Sequence, residues 1–274
     1  MALDAMQEIF DRIEGEQKPF WRVVLETDME ERQVTEEESL ERMRATWQAM
    51  LESVERYDGK RRSVSGLVGG DGARMRAYAA EHETLSGEYL QEVIATALSV
   101  GESNACMRKI VAAPTAGACG VLPAVLVPLY REGKASEEEI LRALYVASGI
   151  GAVISFRACI AGAAGGCQAE IGSASAMAAG ALVALRGGDG AQIGHAAAMT
   201  LKNLMGLVCD PVAGLVEVPC VKRNVVGAMN AVSCAEMALA GIESRIPMEL
   251  RETALGGLAA TPAGLRVKGR MKHD

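Results

Sequence analysis

The chain has 274 residues and a mass of 28.8 kDa, enough to bury a hydrophobic core. Half of its residues are hydrophobic, only 4% are aromatic and 30 are glycine, so we expect a core of small side chains in a globular protein. A net charge of -7 argues against nucleic-acid binding, because binding of phosphate groups relies on clustered lysine and arginine.

Helical patterns dominate in chain order. Thr35 and Glu38 have the spacing of a capping box, and apolar residues follow at three-and-four intervals up to residue 57. Residues 88–101 predict a helix that ends at Gly101. Residues 135–149 repeat the capping pattern with Ser136 and Glu139.

Further along the chain, residues 194–208 and 224–241 also have helical patterns, whereas only residues 214–219 suggest a short strand. The uncharged stretch over 110–130 is long enough to span a bilayer, but its prolines and glycines predict buried loop and helix instead. We therefore predict an all-α fold without membrane contact, with glycine- and alanine-rich buried helices and cysteines in loops.

Charge and cysteine content bear on domain organisation and compartment. Residues 1–95 are rich in charge, whereas the later part is apolar, so we expect a charged helical region over 1–95 and a buried core over 96–274 in one continuous unit. The first 17 residues are too acidic for a signal peptide, and seven cysteines is an odd number. We expect a reduced, cytoplasmic chain.

The seven cysteines fall into two groups. Four lie among small or aliphatic residues and are expected to be buried packing residues, namely Cys106, Cys119, Cys159 and Cys234. Cys167, Cys209 and Cys220 lie beside glycines or near prolines, which predicts loops. Three loop cysteines suggest a metal or iron–sulfur site. There is no C-x-x-C pair, however, and spacing alone favours ordinary buried thiols.

Four stretches carry a family resemblance. They are "SGLVGGDGARM" (65–75), "ESNACMRKIVAAPTAGACGVLPAVL" (102–126), "GAAGGCQAEIGSASAMAAGAL" (162–182) and "LVCDPVAGLVEVPCVKRNVVGAMNA" (207–231). In this order they resemble the α chain, or α domain, of the iron–sulfur-dependent L-serine dehydratases, also called L-serine ammonia-lyases. The resemblance implies that Cys167, Cys209 and Cys220 bind a 4Fe-4S cluster, and that residues 96–274 form the catalytic core.

The resemblance also implies a reaction. L-serine would be converted to pyruvate and ammonia, with an iron that lacks a protein ligand acting as a Lewis acid on the hydroxyl and carboxylate of the substrate. Asn104 and Thr115 match polar positions of the family and suit an amino-acid carboxylate. Turn and cap chemistry around Pro114 is the alternative role for both residues.

The general base is not identified from the sequence. His195 is expected on an apolar helix, His273 lies close to the end of the sequence, and His82 is the third histidine. The family's histidine motif belongs to its β portion and is absent from this sequence. The resemblance therefore implies a separate β subunit, which would supply the base, and a hetero-oligomer.

Other functions and other roles for charged residues stay open. Cluster-dependent deaminases or desulfhydrases that act on threonine or cysteine would use the same site. The glycines of residues 69–72 could instead open a helix that binds a small anion without catalysis, and a helical scaffold with incidental cysteines is a third alternative. Near the cysteines, we expect Glu170 to pair with Arg157, and Lys222 and Arg223 to be solvated.

Overall fold

The computed structural model describes residues 5–212 and 214–246, and these residues are mostly helical. The helices are α1 (Met6–Glu16), α2 (Phe20–Arg32), α3 (Glu36–Glu55), α4 (Asp71–Glu81), α5 (Gly87–Ala105), α6 (Val121–Arg131), α7 (Glu137–Arg157), α8 (Gly162–Gly165), α9 (Cys167–Leu185), α10 (Gly190–Leu204) and α11 (Cys220–Leu239). The predicted all-α fold is confirmed. No strand forms in the described parts of the chain, and near the suggested one a single backbone hydrogen bond joins Val212 to Val218 at 3.0 Å.

Two helices begin where the capping patterns predict. The Thr35 side chain accepts a hydrogen bond from the backbone N–H of Glu38 at 3.2 Å, and the Glu38 carboxylate accepts one from the backbone N–H of Thr35 at 2.9 Å. Ser136 and Glu139 repeat both hydrogen bonds at the start of α7. Because the N–H groups in the first turn of a helix lack intrahelical partners, these side chains fix where α3 and α7 begin.

Helix α9 occupies the centre of the fold. It packs against α6, α7, α10 and α11, and most of its 19 residues are buried on all sides. Its sequence is mostly alanine, glycine and serine, so neighbouring helices approach it closely. The first residue of this central helix is Cys167.

Helix α5 runs past its predicted end. The glycine at position 101 was expected to terminate the helix, but α5 continues to Ala105. Gly101 instead lies against α11, where a Cβ atom would come within 3.3 Å of the Cα atom of Val221. This glycine therefore permits close packing between α5 and the start of α11, which carries Cys220.

The uncharged stretch over 110–130 forms a loop, a short 3-10 turn at Ala116–Ala118 and most of α6, and is largely buried. A different helix, α7, is long and apolar enough to cross a membrane by length and composition. However, 61% of its most apolar 18-residue window is buried inside the fold. We therefore interpret α7 as a core helix of the fold, because apolar helices that are largely buried belong to the protein core.

Candidate functional site

Two of the three singled-out cysteines lie at helix N-termini. Cys167 is the first residue of α9 and Cys220 is the first residue of α11, so the loops expected to carry them end at these positions. Both side chains are buried and hydrogen-bonded to each other. Cys209 lies in the loop between α10 and α11 and is partly exposed. A helix N-terminus favours a thiolate, because its N–H groups carry partial positive charge.

The two buried thiols have opposite pKa shifts. The hydrogen bond from Cys220 lowers the pKa of Cys167 to about 6, the charge of Arg223 lowers it further, and burial opposes both effects. The pKa of Cys220 is raised, because this thiol donates to Cys167 and is itself buried. The pair of thiols therefore loses its first proton more easily than its second.

Arg223 lies beside this pair. Its Nη1 atom is 3.1 Å from Cys167 Sγ, 3.0 Å from the carbonyl oxygen of Val208 and 2.5 Å from Oδ1 of Asp210. Only 13% of its side chain is exposed, so the expectation of a solvated arginine is wrong. The neighbouring Lys222 is 67% exposed, as expected, and contacts Asp71 at 3.2 Å.

The start of α9 is tied to the loop that carries Cys209. The backbone N–H of Gln168 donates to the Leu207 carbonyl at 3.0 Å, and the Gln168 side-chain oxygen accepts from the N–H of Gly206 at 2.9 Å. Gly166 has a φ of +80°, which favours glycine, and a Cβ there would lie 3.6 Å from the backbone nitrogen of Cys209. The Cys209 backbone therefore passes close to the residue that precedes Cys167.

The proposed substrate contacts lie in two segments. Thr115 precedes the turn Ala116–Ala118, and its hydroxyl oxygen is buried without a hydrogen-bond partner among the described residues. A Cβ on Gly117 would lie 3.0 Å from Oε2 of Glu170, so the carboxylate of Glu170 lies against this turn. Asn104 is half-buried in the last turn of α5, and none of the described contacts joins it to the cysteines. The pairing of Glu170 with Arg157 stays a prediction.

The segment over residues 69–72 does bind an anionic group, but this group is the side-chain carboxylate of Glu102 in the same chain. Glu102, which is 1% exposed, accepts hydrogen bonds from the backbone N–H groups of Asp71 at 2.7 Å and Gly72 at 3.3 Å. The hydroxyl of Tyr57 donates to the same carboxylate at 2.5 Å. The N-terminus of α4 is therefore capped internally, which removes the basis for a small-anion site there.

A second buried carboxylate joins this region to the cysteine loop. Glu217, three residues before Cys220, is 7% exposed and accepts a hydrogen bond from the Ser63 hydroxyl at 2.8 Å and one from Ser65. Glu217 was not predicted as a functional residue, although it is the acidic residue in the otherwise apolar run over 211–221. The link fixes the position of the chain immediately before α11.

The remaining cysteines and histidines lie apart from these contacts. Cys106, Cys119 and Cys234 are buried as expected, whereas Cys159 is exposed because it lies in the loop between α7 and α8. His195 is on α10 and half-buried. His82 is exposed and stacks on Tyr78 with 4.6 Å between ring centroids. His273 lies outside the described residues.

The donor set fits a cluster better than a single metal ion. No three His, Cys, Asp or Glu side chains in the described residues are close enough to share one ion. An iron–sulfur cluster does not require this, because its cysteines bind different irons. Two buried cysteines in contact and a third cysteine on a loop that is hydrogen-bonded to the start of α9 suit the chemistry of such a cluster.

Comparisons with known proteins identify the family of this chain. The sequence profile described as "Serine dehydratase alpha chain" matches residues 15–264. The "Probable L-serine dehydratase, alpha chain" of Bacillus subtilis (strain 168) is 42% identical over 265 residues, covering 91% of this chain and 88% of that protein. The "L-serine dehydratase, alpha chain" of Peptoniphilus asaccharolyticus is 39% identical over 283 residues, covering 97% of both chains.

A longer relative matches over part of its length. "L-serine dehydratase TdcG" of Escherichia coli (strain K12) is 35% identical over 240 residues, which cover 78% of this chain and 52% of that protein. The profile match and the two alpha-chain relatives extend over nearly the whole sequence and include all three site cysteines. The chain therefore belongs to the serine dehydratase alpha chain family.

Proposed function

We propose that this chain is the α subunit of a cytoplasmic, iron–sulfur-dependent L-serine ammonia-lyase. The observation that carries the proposal is the buried, hydrogen-bonded pair of Cys167 and Cys220 at two helix N-termini, beside the tethered loop of Cys209. The relatives named L-serine dehydratase support serine as the substrate. A reducing compartment suits a site that depends on free thiols.

Cys167, Cys209 and Cys220 would hold a 4Fe-4S cluster. When bound, the cluster supplies a Lewis acid for the substrate hydroxyl and carboxylate at an iron without a protein ligand. The pair of Cys167 and Cys220 would lose its first proton easily, and both sulfurs would become ligands once both protons are released. The burial of Cys167 and Cys220 limits the access of water to both sulfur atoms.

Thr115 and Asn104 would bind the substrate. The Thr115 hydroxyl is buried without a partner among the described residues, so it can donate to the carboxylate of serine without breaking an existing hydrogen bond. Glu170, whose carboxylate lies against the same turn, would attract the α-ammonium group. The Asn104 amide at the end of α5 would provide a second contact to the carboxylate.

The overall reaction requires a base, and it consists of a dehydration step followed by a hydrolysis step. Serine loses its α-proton to the base and its β-hydroxyl as water, which gives aminoacrylate. Aminoacrylate tautomerises to an imine, and hydrolysis of the imine gives pyruvate and ammonia. A separate β subunit would carry the base and form a hetero-oligomer with this chain, because relatives that are named as alpha chains imply a second chain.

Iron and acid-labile sulfide content after anaerobic reconstitution tests the cluster. Wild-type protein is expected to hold about four of each per chain, and the triple variant Cys167→Ser, Cys209→Ser, Cys220→Ser is expected to lose both. The matched control replaces the three buried cysteines Cys106, Cys119 and Cys234 with serine. Equal iron and sulfide in the two triple variants would overturn the ligand assignment.

Product assays with the reconstituted protein and its β subunit test the reaction. Pyruvate and ammonia formed in equal amounts from L-serine are expected. Threonine and cysteine are the competing substrates, because a methyl group or a sulfur atom is weak discrimination for a pocket. If threonine or cysteine has a higher kcat/KM than serine, that amino acid takes the place of serine as the proposed substrate.

A further inference from the structure

Arg223 contacts two of the cysteine-bearing segments and lies on the third. It is three residues after Cys220 on α11, and residues at this spacing share one face of a helix. From that face its guanidinium reaches the Sγ atom of Cys167 at 3.1 Å. It also contacts the loop on both sides of Cys209, at the Val208 carbonyl and the Asp210 carboxylate.

A largely buried arginine needs hydrogen-bond acceptors and a negative charge nearby, and the contacts of Arg223 supply both. The side chain is 13% exposed, its charge is balanced by the carboxylate of Asp210, and its Nη1 atom lies 3.1 Å from the sulfur of Cys167. One guanidinium nitrogen, Nη1, makes all three contacts, and the rigid guanidinium plane holds its two N–H groups in fixed directions. Lysine carries a compact, strongly hydrated ammonium group on a flexible stem, so it keeps the charge but fixes the position of its donors less well.

We propose that Arg223 is a positioning residue that assembles the three ligand segments before the cluster is inserted and then donates a hydrogen bond to the Cys167 sulfur of the bound cluster. The second role rests on the proposed function, whereas the first concerns the metal-free chain alone. Hydrogen bonds to ligand sulfurs withdraw electron density and tune the reduction potential of a cluster.

Hydrogen exchange of the metal-free protein tests the assembly role. Amide exchange over residues 206–211 is measured by mass spectrometry in the wild type, Arg223→Met and Lys222→Met. Lys222 is the matched control, because it is adjacent, basic and exposed and contacts Asp71 instead of the cysteine loop. We expect at least threefold faster exchange over 206–211 in Arg223→Met only, as a local loss of stability predicts. Equal exchange in the two variants would overturn the assembly role.

Cluster lability and potential test the contact with sulfur. After anaerobic reconstitution, iron release to a chelator is expected to be about tenfold faster in Arg223→Met than in Lys222→Met, as is typical when a partner of a metal ligand is removed. The reduction potential should fall in Arg223→Met and partly recover in Arg223→Lys, which keeps the charge. A merely structural arginine would leave the potential unchanged, and that result would overturn this role.

The two measurements also separate this inference from the proposed function. A wild-type protein that binds no iron and no sulfide, even with its β subunit, would overturn the proposed cluster. The exchange experiment would still decide the assembly role. If Arg223→Met does not fold by circular dichroism, Arg223→Lys replaces it, and its exchange over 206–211 must still exceed that of Lys222→Met.

Discussion

The side-chain oxygen of Asn224 accepts a hydrogen bond from the backbone N–H of Gly120 at 2.8 Å. The side-chain nitrogen of the same residue donates to the carbonyl oxygens of Gly117 and Cys220 at 2.9 and 3.0 Å. Asn224 is 1% exposed, so it joins the first turn of α11 to the segment that follows Thr115 from inside the protein.

Replacing Asn224 with alanine should lower the free energy of unfolding by about 2 to 4 kcal/mol, because buried backbone groups lose their partners. The measurement is urea unfolding of the metal-free protein. Asn203→Ala is the control, since Asn203 is exposed, and it should change stability by less than about 1 kcal/mol. Equal effects of the two substitutions would contradict the role of Asn224.

Glu102→Gln should destabilise the protein by about 1 to 3 kcal/mol, since a neutral amide replaces the buried carboxylate that caps α4. The control is Glu88→Gln. Glu88 is on α5, like Glu102, but its side chain is exposed, so the expected change in stability is within about 0.5 kcal/mol. Chemical denaturation of both variants decides the point, and indistinguishable midpoints would refute internal capping.

The Cys119 thiol should make stability depend on alkaline pH. Burial raises its pKa from the ordinary value of 9.0 to about 12, so the folded chain keeps a proton that the unfolded chain releases above pH 9. Its contribution to stability is therefore fully present below pH 9 and is lost as the pH rises toward 12, at about 1.4 kcal/mol per pH unit. Urea unfolding between pH 8 and 11 should show a steeper loss in wild type than in Cys119→Ala, and parallel curves would exclude this effect.

Gly101→Val should separate α5 from α11 and weaken cluster binding. Even a Cβ atom would lie 3.3 Å from the Val221 backbone, and two further methyl groups have no space. We expect a loss of about 1 to 3 kcal/mol in stability and lower iron content after reconstitution. Gly15→Val in α1, where no atom lies within 4 Å of the added Cβ, should keep wild-type iron content. Full iron loading of Gly101→Val would contradict this reasoning.

Local patterns in the sequence predicted much of the fold. The starts of α3 and α7 were predicted because a capping box depends only on residues three positions apart. The same pattern at Asp189 and Gln192, which starts α10, was overlooked although it was equally visible. Gly101 was misassigned because its role depends on Val221, which is distant in sequence.

The contacts of the site were harder to predict, because they join residues that are distant in sequence. Only the family resemblance singled out the three cysteines that we propose as ligands, because composition alone did not distinguish them from ordinary buried thiols. The burial of Arg223 depends on which face of α11 meets α9, and a basic residue near a helix start gives no indication of that face. The glycines of residues 69–72 suggested a site for a small anion, but the N–H groups of Asp71 and Gly72 bind the carboxylate of Glu102, which lies on another helix.

The packing of α9 among other helices determines which parts of the candidate site can move. A helix packed against four neighbouring helices cannot shift without disturbing several interfaces at once, so Cys167 lies at the start of a helix that is held in place. Entry and departure of a small molecule must then be accommodated by the segments around it, chiefly residues 205–212, 214–219 and 158–166. We expect these segments to move while α9 stays still.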